Sequence, residues 1–227
     1  MTFNQIKMAL YATYITNLFG YKLKKVNSSQ EKKSIRIDYS NTLLSCLGID
    51  IKVLNPQLLP KEGQFLLASN HRSVIDPLII EIALQDTKIF GHWISKKELY
   101  NSFFFGLFVK NAGTVLLDRA TAQMSAFFAD IKKCVKAGDS IYIFPEGSRN
   151  ITQEVITPFK DGSKIIAVKN RLNILPIYIK NNANEILMRA IKEKDYTNTI
   201  EVEVGEIIDY KDKTLSLEQA YKQRFHI

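Results

Sequence analysis

The sequence is organised around Asn70-His71-Arg72-Ser73-Val74-Ile75-Asp76-Pro77, a stretch that lies between two apolar runs, Phe65 to Ala68 and Leu78 to Leu84. The runs predict a buried strand before the stretch and a helix after it, and a proline suits the first turn of a helix. His71 and Asp76 are five residues apart. That spacing separates side chains by about 140° on an α-helix and puts them on opposite faces of a strand, so the two can meet only across a turn.

His71 and Asp76 allow two interpretations. A histidine held by a carboxylate can take a proton from a hydroxyl near neutral pH, so the pair is a candidate for general-base catalysis. Alternatively, Asp76 or Ser73 only caps the following helix, since Ser73 to Asp76 has the spacing of a capping box. These residues alone leave both interpretations open, and the rest of the chain has to decide between them.

The composition predicts one globular domain of catalytic size. The chain has 227 residues, of which 46% are hydrophobic and 24% charged, and such a balance is typical of a folded domain rather than a disordered chain. Its mean hydropathy of −0.09 excludes a protein with many membrane spans. Cys46 and Cys134 are too few for a disulfide framework, and the three histidines lack the spacing of a metal cluster. We therefore expect no metal and no cofactor.

The N-terminal residues are basic and predict an amphipathic helix. The net charge is +8, and residues 1–36 contribute six of these charges, with seven lysines and arginines against Glu31. From Phe3 to Tyr21 apolar residues recur every three or four positions, the helical period. The longest uncharged run, Met8 to Tyr21, has 14 residues, whereas a bilayer span needs about 20. Such a helix lies on an anionic membrane surface or, alternatively, packs on the core of its own domain.

We assign residues 1–47 to an N-terminal membrane-associating segment and residues 48–227 to a second, larger domain. Within the first segment, the polar stretch Val26 to Lys33 predicts a linker and Asn41 to Leu47 a short helix. No nucleic-acid-binding motif accompanies the basic end, so we expect no nucleic-acid partner.

Beyond residue 48, strand and helix patterns alternate, which predicts an α/β domain. The predicted strands are Ile49–Val53, Phe65–Ser69, Lys88–Ile94, Thr114–Asp118, Ile141–Phe144, Ile174–Ile179, Ile186–Ile191 and Thr199–Ile208. The predicted helices are Leu78–Leu84, Lys97–Lys110, Met124–Val135, Lys164–Lys169 and Ser216–Arg224.

Ligands of α/β proteins bind where strands end, and several predicted strand ends carry polar residues. Arg119 follows an apolar strand and suits phosphate or carboxylate, although a solvated or ion-paired arginine is an alternative. The stretch Phe144-Pro145-Glu146-Gly147-Ser148-Arg149 offers a carboxylate, a glycine backbone and a guanidinium. It continues to residues 158–163, where Lys160 and a helix N-terminus form a candidate anion site. Ile174 to Tyr178 is a further strand, for which a purely structural role is the alternative.

Taken in order, these segments resemble the motifs of the glycerolipid acyltransferase family. The resemblance covers Phe65 to Tyr178, about half of the chain. The matching segments are NHRSVIDP at 70–77, ISKKEL at 94–99, GTVLLDR at 113–119, FPEGSR at 144–149 with PFKDG at 158–162, and ILPIYI at 174–179. Two departures are the absence of a proline before Phe105-Gly106 and a serine, Ser148, where threonine is commoner.

The resemblance implies an acyl transfer from acyl-ACP or acyl-CoA to the free hydroxyl of 1-acyl-glycerol-3-phosphate, giving phosphatidic acid. His71 would be the general base and Asp76 would orient its ring, without an acyl-enzyme. The residues implied to bind the acceptor are Arg119, Glu146, Gly147, Lys97, Ser148, Arg149 and Lys160.

The resemblance also implies a mixed, largely parallel central sheet flanked by helices, on a protein bound peripherally or monotopically at the cytoplasmic face of the inner membrane. Two alternatives stay open. One is an acyltransferase for another acceptor, such as glycerol-3-phosphate, a lysophospholipid or a lyso-ornithine lipid. The other is a non-catalytic lipid-binding protein.

Overall fold

The computed structural model describes residues 3–118, 124–193 and 198–227. The strands are β1 (Ile49–Leu54), β2 (Phe65–Ser69), β3 (Gly91–Lys96), β4 (Val115–Leu117), β5 (Ser140–Ile143), β6 (Asn173–Ile179) and β7 (Asn198–Val204). The α-helices are α1 (Phe3–Lys24), α2 (Ser29–Cys46), α3 (Asp76–Ala83), α4 (Lys97–Tyr100), α5 (Gly106–Asn111), α6 (Met124–Lys136), α7 (Gly162–Asn170), α8 (Ala183–Lys192) and α9 (Leu217–Phe225).

The described strands form one seven-stranded sheet in the order β1-β7-β6-β2-β5-β3-β4. Neighbouring strands are parallel, except that β6 and β7 are antiparallel. At one edge the first strand pairs with the last, with Ile49 opposite Asn198. The predicted α/β fold with a mixed, largely parallel sheet is therefore confirmed.

The sheet separates two apolar cores, and β2 contributes alternate residues to each. Leu67 lies in the larger core, whereas Leu66 and Ala68 lie in the smaller one, because successive side chains of a strand point to opposite faces. Buried residues of α1, α2, α3 and α8 complete the larger core, and those of α6, α7 and α9 complete the smaller core. Helices thus cover both faces of the sheet.

Helix α2 begins at Ser29, so the predicted linker at Val26 to Lys33 is wrong in its second half, and the predicted helix at Asn41 to Leu47 is the end of a longer one. The polar sequence misled because α2 buries two of its charged side chains, Lys33 and Arg36, each 2% exposed. A buried cation needs partners, and those of α2 come from distant parts of the chain.

Arg36 and Lys33 connect α2 to α3 and to the segment from Leu84 to Gly91. The Arg36 guanidinium pairs with the Glu81 carboxylate and donates to the Gly91 carbonyl at 2.8 Å. The Lys33 ammonium donates to the Leu84 carbonyl at 3.0 Å. The division of the chain at residues 47 and 48 stays a prediction, but α2 shares its core with the sheet.

Two further sequence predictions are wrong. Ile186 to Ile191 belongs to helix α8, whose N-terminus is capped by the Asn182 side chain, an acceptor for the Glu185 N–H. Lys97 to Lys110 is not one helix but two, because the chain turns between α4 and α5. There the Ser102 hydroxyl accepts hydrogen bonds from two backbone N–H groups that follow it.

Helix α1 carries apolar residues on two sides. Ile15, Phe19 and Leu23 are buried, whereas five others along the helix are exposed: Ile6, Leu10, Tyr14, Leu18 and Tyr21. At Gly20 the helix packs so closely on α5 that a Cβ atom would lie 2.8 Å from a backbone nitrogen of α5. Among the helices that the structure describes, none is long and apolar enough to cross a bilayer.

Candidate active site

The candidate site lies at the carboxyl ends of the parallel strands. Strands β2, β5, β3 and β4 are parallel neighbours, so their carboxyl ends meet at the same edge. After β2 the chain enters α3 in the larger core, whereas after β5 it reaches α7 in the smaller core. The crevice between two strands whose connections leave to opposite faces is where open α/β sheets bind ligands. His71 follows β2, and Phe144 to Arg149 follow β5.

His71 and Asp76 meet across the turn between β2 and α3. The Asp76 Oδ2 lies 2.8 Å from His71 Nδ1 and accepts the backbone N–H groups of Arg72 and Ser73 at 2.6 and 2.7 Å. An ionised carboxylate only accepts, so Nδ1 carries the imidazole proton and Nε2 is left able to take another. The capping interpretation is wrong, because α3 begins at Asp76 with Ile75 as its N-cap and no side chain caps it. Asp76 instead holds the turn before the helix as well as the imidazole ring.

Glu146 supports the same histidine from the neighbouring strand. Its Oε1 accepts the His71 backbone N–H at 2.7 Å, and its Oε2 accepts the N–H and the hydroxyl of Thr157 at 2.7 and 2.6 Å. The side chain is 2% exposed. Gly147, with φ of 73°, closes a turn in which its N–H donates to the Phe144 carbonyl at 2.9 Å. Its neighbours Ser148 and Arg149 are exposed.

Asn70 is a site residue to which the sequence alone assigned no role. Its side chain donates to the Ile179 carbonyl at 3.0 Å and accepts the Ile179 N–H at 2.8 Å, which extends the pairing of β2 and β6. The Tyr221 hydroxyl accepts the Asn70 N–H at 3.3 Å. An asparagine just before His71 gives no sequence signal for these contacts, because their partners lie more than a hundred residues away.

Phe144 is a second residue that sequence reasoning missed. Its ring stacks on the His71 imidazole, with ring centroids 4.0 Å apart and planes inclined by 9°. In FPEGSR the polar residues are the distinctive ones, and Phe144 fits the end of an apolar strand equally well, so the sequence gives no signal for this contact.

The predicted cationic residues lie along the same strand ends. Lys97 follows β3 and donates to Asp118, which follows β4, at 2.7 Å. This hydrogen bond raises the pKa of Lys97, so the amine stays a cation. Lys160 is exposed, and its backbone N–H donates to the Pro145 carbonyl at 2.8 Å. Arg119 lies outside the described residues.

A second histidine–aspartate pair, His92 and Asp139, lies at the opposite edge, where β3 and β5 begin. Its Nε2 is 2.9 Å from Asp139 Oδ2, and its Nδ1 is 2.5 Å from the Gly113 carbonyl. Both ring nitrogens are therefore occupied, and His92 offers no free base. Within residues 3–118, 124–193 and 198–227, no three His, Cys, Asp or Glu side chains are grouped to hold a metal ion.

Residues 50–180 match the family model described as Acyltransferase, which spans more than half of the chain. The chain therefore belongs to the acyltransferase family, and the family predicted from the sequence motifs is confirmed. Both His71 and Asp76 lie within the matched residues 50–180.

Two of the similar proteins carry the same enzyme name. The 1-acyl-sn-glycerol-3-phosphate acyltransferase of Helicobacter pylori (strain J99) is 30% identical over 180 residues, which cover 78% of this chain and 70% of that protein. The protein of the same name from Bacillus subtilis (strain 168) is 31% identical over 134 residues, covering 59% of this chain and 64% of that protein.

Among solved structures, the 1-acyl-sn-glycerophosphate (LPA) acyltransferase PlsC of Thermotoga maritima is similar over 98% of this chain and 93% of that one, with a TM-score of 0.70. At 20% sequence identity this likeness shows the shared fold.

Proposed function

We propose that this protein transfers an acyl group from acyl-ACP or acyl-CoA to the free hydroxyl of 1-acyl-glycerol-3-phosphate, giving phosphatidic acid. The observation that carries the proposal is the hydrogen bond between His71 Nδ1 and Asp76 at the carboxyl ends of the strands. Membership of the acyltransferase family supports the reaction class, and the names of the relatives support the acceptor.

In the proposed mechanism, His71 Nε2 removes the proton of the acceptor hydroxyl while the oxygen attacks the carbonyl carbon of the thioester. A carbon–oxygen bond forms, the carbon–sulfur bond breaks, and the imidazolium returns its proton to the leaving thiolate. Asp76 stabilises the imidazolium in between. Burial raises the pKa of the Cys134 thiol to about 11, which supports direct transfer rather than an acyl-enzyme on this cysteine.

The phosphate of the acceptor would bind to the cations at the strand ends. Lys97 is 53% exposed while Asp118 holds its amine in place, so it can contact a ligand without losing that partner. Arg149 and Lys160 are exposed in the segment after β5, and Arg119 is included from its position after β4. We assign Glu146 and Gly147 to the support of His71, because both carboxylate oxygens of Glu146 are engaged within the protein.

The exposed apolar side of α1 offers a contact for a lipid surface. Leu10, Tyr14 and Tyr21 are 67%, 65% and 60% exposed. Helix α5 packs on α1 at Gly20, and Phe103 and Phe104 in the segment before α5 are 83% and 52% exposed. Exposed aromatic residues beside the lysines of the basic N-terminal region have the composition of interfacial helices. On these grounds we propose that the protein binds peripherally to a membrane surface, and we take the cytoplasmic face of the inner membrane from the resemblance to the family.

The enzyme proposal is tested with purified protein, lysophosphatidic acid in mixed vesicles, and acyl-CoA or acyl-ACP in parallel. We expect phosphatidic acid with at least one donor, and no product with His71→Ala. Glycerol-3-phosphate, lysophosphatidylcholine and lyso-ornithine lipid serve as competing acceptors. A higher kcat/KM on one of these would overturn the choice of acceptor, and vesicle binding with no transfer to any of them would favour the non-catalytic alternative.

The membrane contact is tested by Leu10→Ser with Tyr14→Ser, because deletion of α1 would also remove Ile15 and Phe19 from the larger core. The matched control is Ile165→Ser, which replaces an exposed apolar residue of α7 on the other face of the sheet. We expect only the double variant to bind anionic vesicles more weakly, at low and at high salt, since apolar contact is not screened. Equal vesicle binding by the wild type, the double variant and Ile165→Ser would contradict the proposal that the exposed apolar side of α1 contacts the membrane.

A further inference from the structure

The His71 imidazole is the first of three stacked rings, followed by Phe144 and Trp93. The imidazole stacks on Phe144 at 4.0 Å between centroids, and Phe144 stacks on Trp93 at 4.9 Å with planes inclined by 25°. Two of these rings come from neighbouring parallel strands or their ends, β5 and β3, whereas His71 follows β2. The stack therefore crosses the crevice between the strands at which the candidate site lies.

The far end of this stack is fixed in place. The Trp93 indole N–H donates to the Glu81 carboxylate at 2.8 Å, and this carboxylate is paired with Arg36. Trp93 also meets Tyr142 edge to face, with centroids 5.2 Å apart. Tyr142 is 1% exposed and lies so close to Gly91 that a Cβ there would approach its ring to 2.1 Å. Trp93 thus gives Phe144 an immobile support.

A single hydrogen bond does not fix the plane of an imidazole. The contact between Nδ1 and Asp76 holds one atom of the ring, but the ring can still rock about its bond to Cβ, and Nε2 swings with it. A flat aromatic face in parallel contact opposes that motion. The direction in which Nε2 points is therefore set jointly by Asp76 and by Phe144.

We propose that Phe144 is a positioning residue for His71, which aims Nε2 at the acceptor hydroxyl and favours the imidazolium formed when the proton is taken. The second effect arises because a cation over an aromatic face is attracted by the ring quadrupole. The attraction is stronger once His71 is protonated, so it contributes to the transition state more than to the resting enzyme. The inference rests on the general-base role of His71 proposed above.

The test combines NMR of the histidine rings with kinetics. The chain has three histidines, so a ¹⁵N-histidine sample gives few ring signals, and His71→Asn assigns those of His71. In the wild type we expect ring-current shifts of the His71 protons, cross-relaxation with the Phe144 ring, and a single tautomer protonated at Nδ1. In Phe144→Leu the shifts should vanish and kcat should fall about tenfold with little change in KM, while Asp76 still keeps the proton on Nδ1.

Two variants separate positioning from packing. Phe144→Tyr keeps the aromatic face and should retain the His71 shifts and most of kcat. Phe128→Leu removes a partly buried ring on α6 in the smaller core, and should leave His71 and kcat unchanged. If Phe144→Leu does not fold, the cross-relaxation between the two rings in the wild type still decides whether the stack exists.

Absence of that cross-relaxation, or a Phe144→Leu enzyme with wild-type kcat, overturns the inference. A wild-type protein that shows the stack and the single tautomer but transfers no acyl group overturns the proposed function and leaves the positioning of the ring established.

Discussion

Glu146 joins three parts of the site, and Glu146→Gln tests this link without changing the size of the side chain. One carboxylate oxygen accepts the His71 N–H, and the other accepts the N–H and hydroxyl of Thr157. A glutamine amide has one oxygen and one NH₂ group. In either orientation, one of the two backbone N–H groups must therefore face a donor.

The cost follows from the burial of these groups. Glu146 is 2% exposed, so water cannot replace the lost acceptor. A hydrogen bond to a charged acceptor contributes about 1.5–3 kcal/mol, and a buried N–H without an acceptor costs about 1–3 kcal/mol. Because the amide retains part of the network, we expect the free energy of unfolding to fall by about 2–4 kcal/mol.

Urea denaturation followed by the fluorescence of Trp93, which is the one tryptophan of the chain, measures this change. The kcat for acyl transfer should also fall by about tenfold or more, because His71 loses a backbone restraint and small misplacements of a base are costly. The control is Glu154→Gln, an exposed glutamate of the same loop, which should change the free energy of unfolding by less than about 0.5 kcal/mol.

An unfolding curve of Glu146→Gln identical to that of the wild type would refute this reasoning. A raised KM for the acceptor with unchanged stability would show instead that the carboxylate contacts the substrate, which is the role implied by the resemblance.

Three further variants test contacts that stabilise the fold around the site. Asn70→Ala removes both side-chain bonds to the Ile179 backbone; we expect urea melts to show a loss of about 2–4 kcal/mol, and an unchanged midpoint would refute the role of Asn70. Gly20→Ala puts a Cβ 2.8 Å from an α5 backbone nitrogen. Calorimetry should show that the free energy of unfolding falls by about 1–3 kcal/mol, whereas a raised Tm would mean that α1 and α5 can move apart without cost. Burial lowers the pKa of Lys33 below 10.5, so the folded chain binds fewer protons there than the unfolded chain in the interval just below that pH. The free energy of unfolding of wild type minus that of Lys33→Met should therefore rise with pH through this interval, whereas a flat difference would contradict it.

Sequence patterns predicted most of the fold because the sheet strands are apolar runs separated by turn residues, as in β6 with its unbroken burial from Ile174 to Ile179. They failed at α2, where a buried Arg36 resembles a solvated charge until Glu81 is known to face it. They failed at α8 because a short apolar run fits a strand or a helix equally well, and only the Asn182 cap distinguishes the two.

The contacts of the candidate site likewise include some that the sequence predicts and some that it does not. The His71–Asp76 contact was predictable because a turn and two chemically distinctive residues lie within one short stretch. The support from Phe144, Asn70 and Glu146 was not, because each contact joins strands that are neighbours in the sheet but distant in the sequence. The substrate-binding roles implied by the resemblance remain predictions for all seven residues: Arg119, Glu146, Gly147, Lys97, Ser148, Arg149 and Lys160.

The pairing of β1 with β7 determines when the sheet can be completed during translation. Ile49 lies opposite Asn198, and β7 separates β1 from the rest of the described sheet. During translation β1 therefore leaves the ribosome long before its partner exists, and β1 cannot join the sheet until residues 198–204 have been made. In that interval β1 has a free edge. Lys52 on β1, which later pairs with Glu201 at 3.0 Å, gives the waiting strand a charge that opposes pairing with other nascent chains.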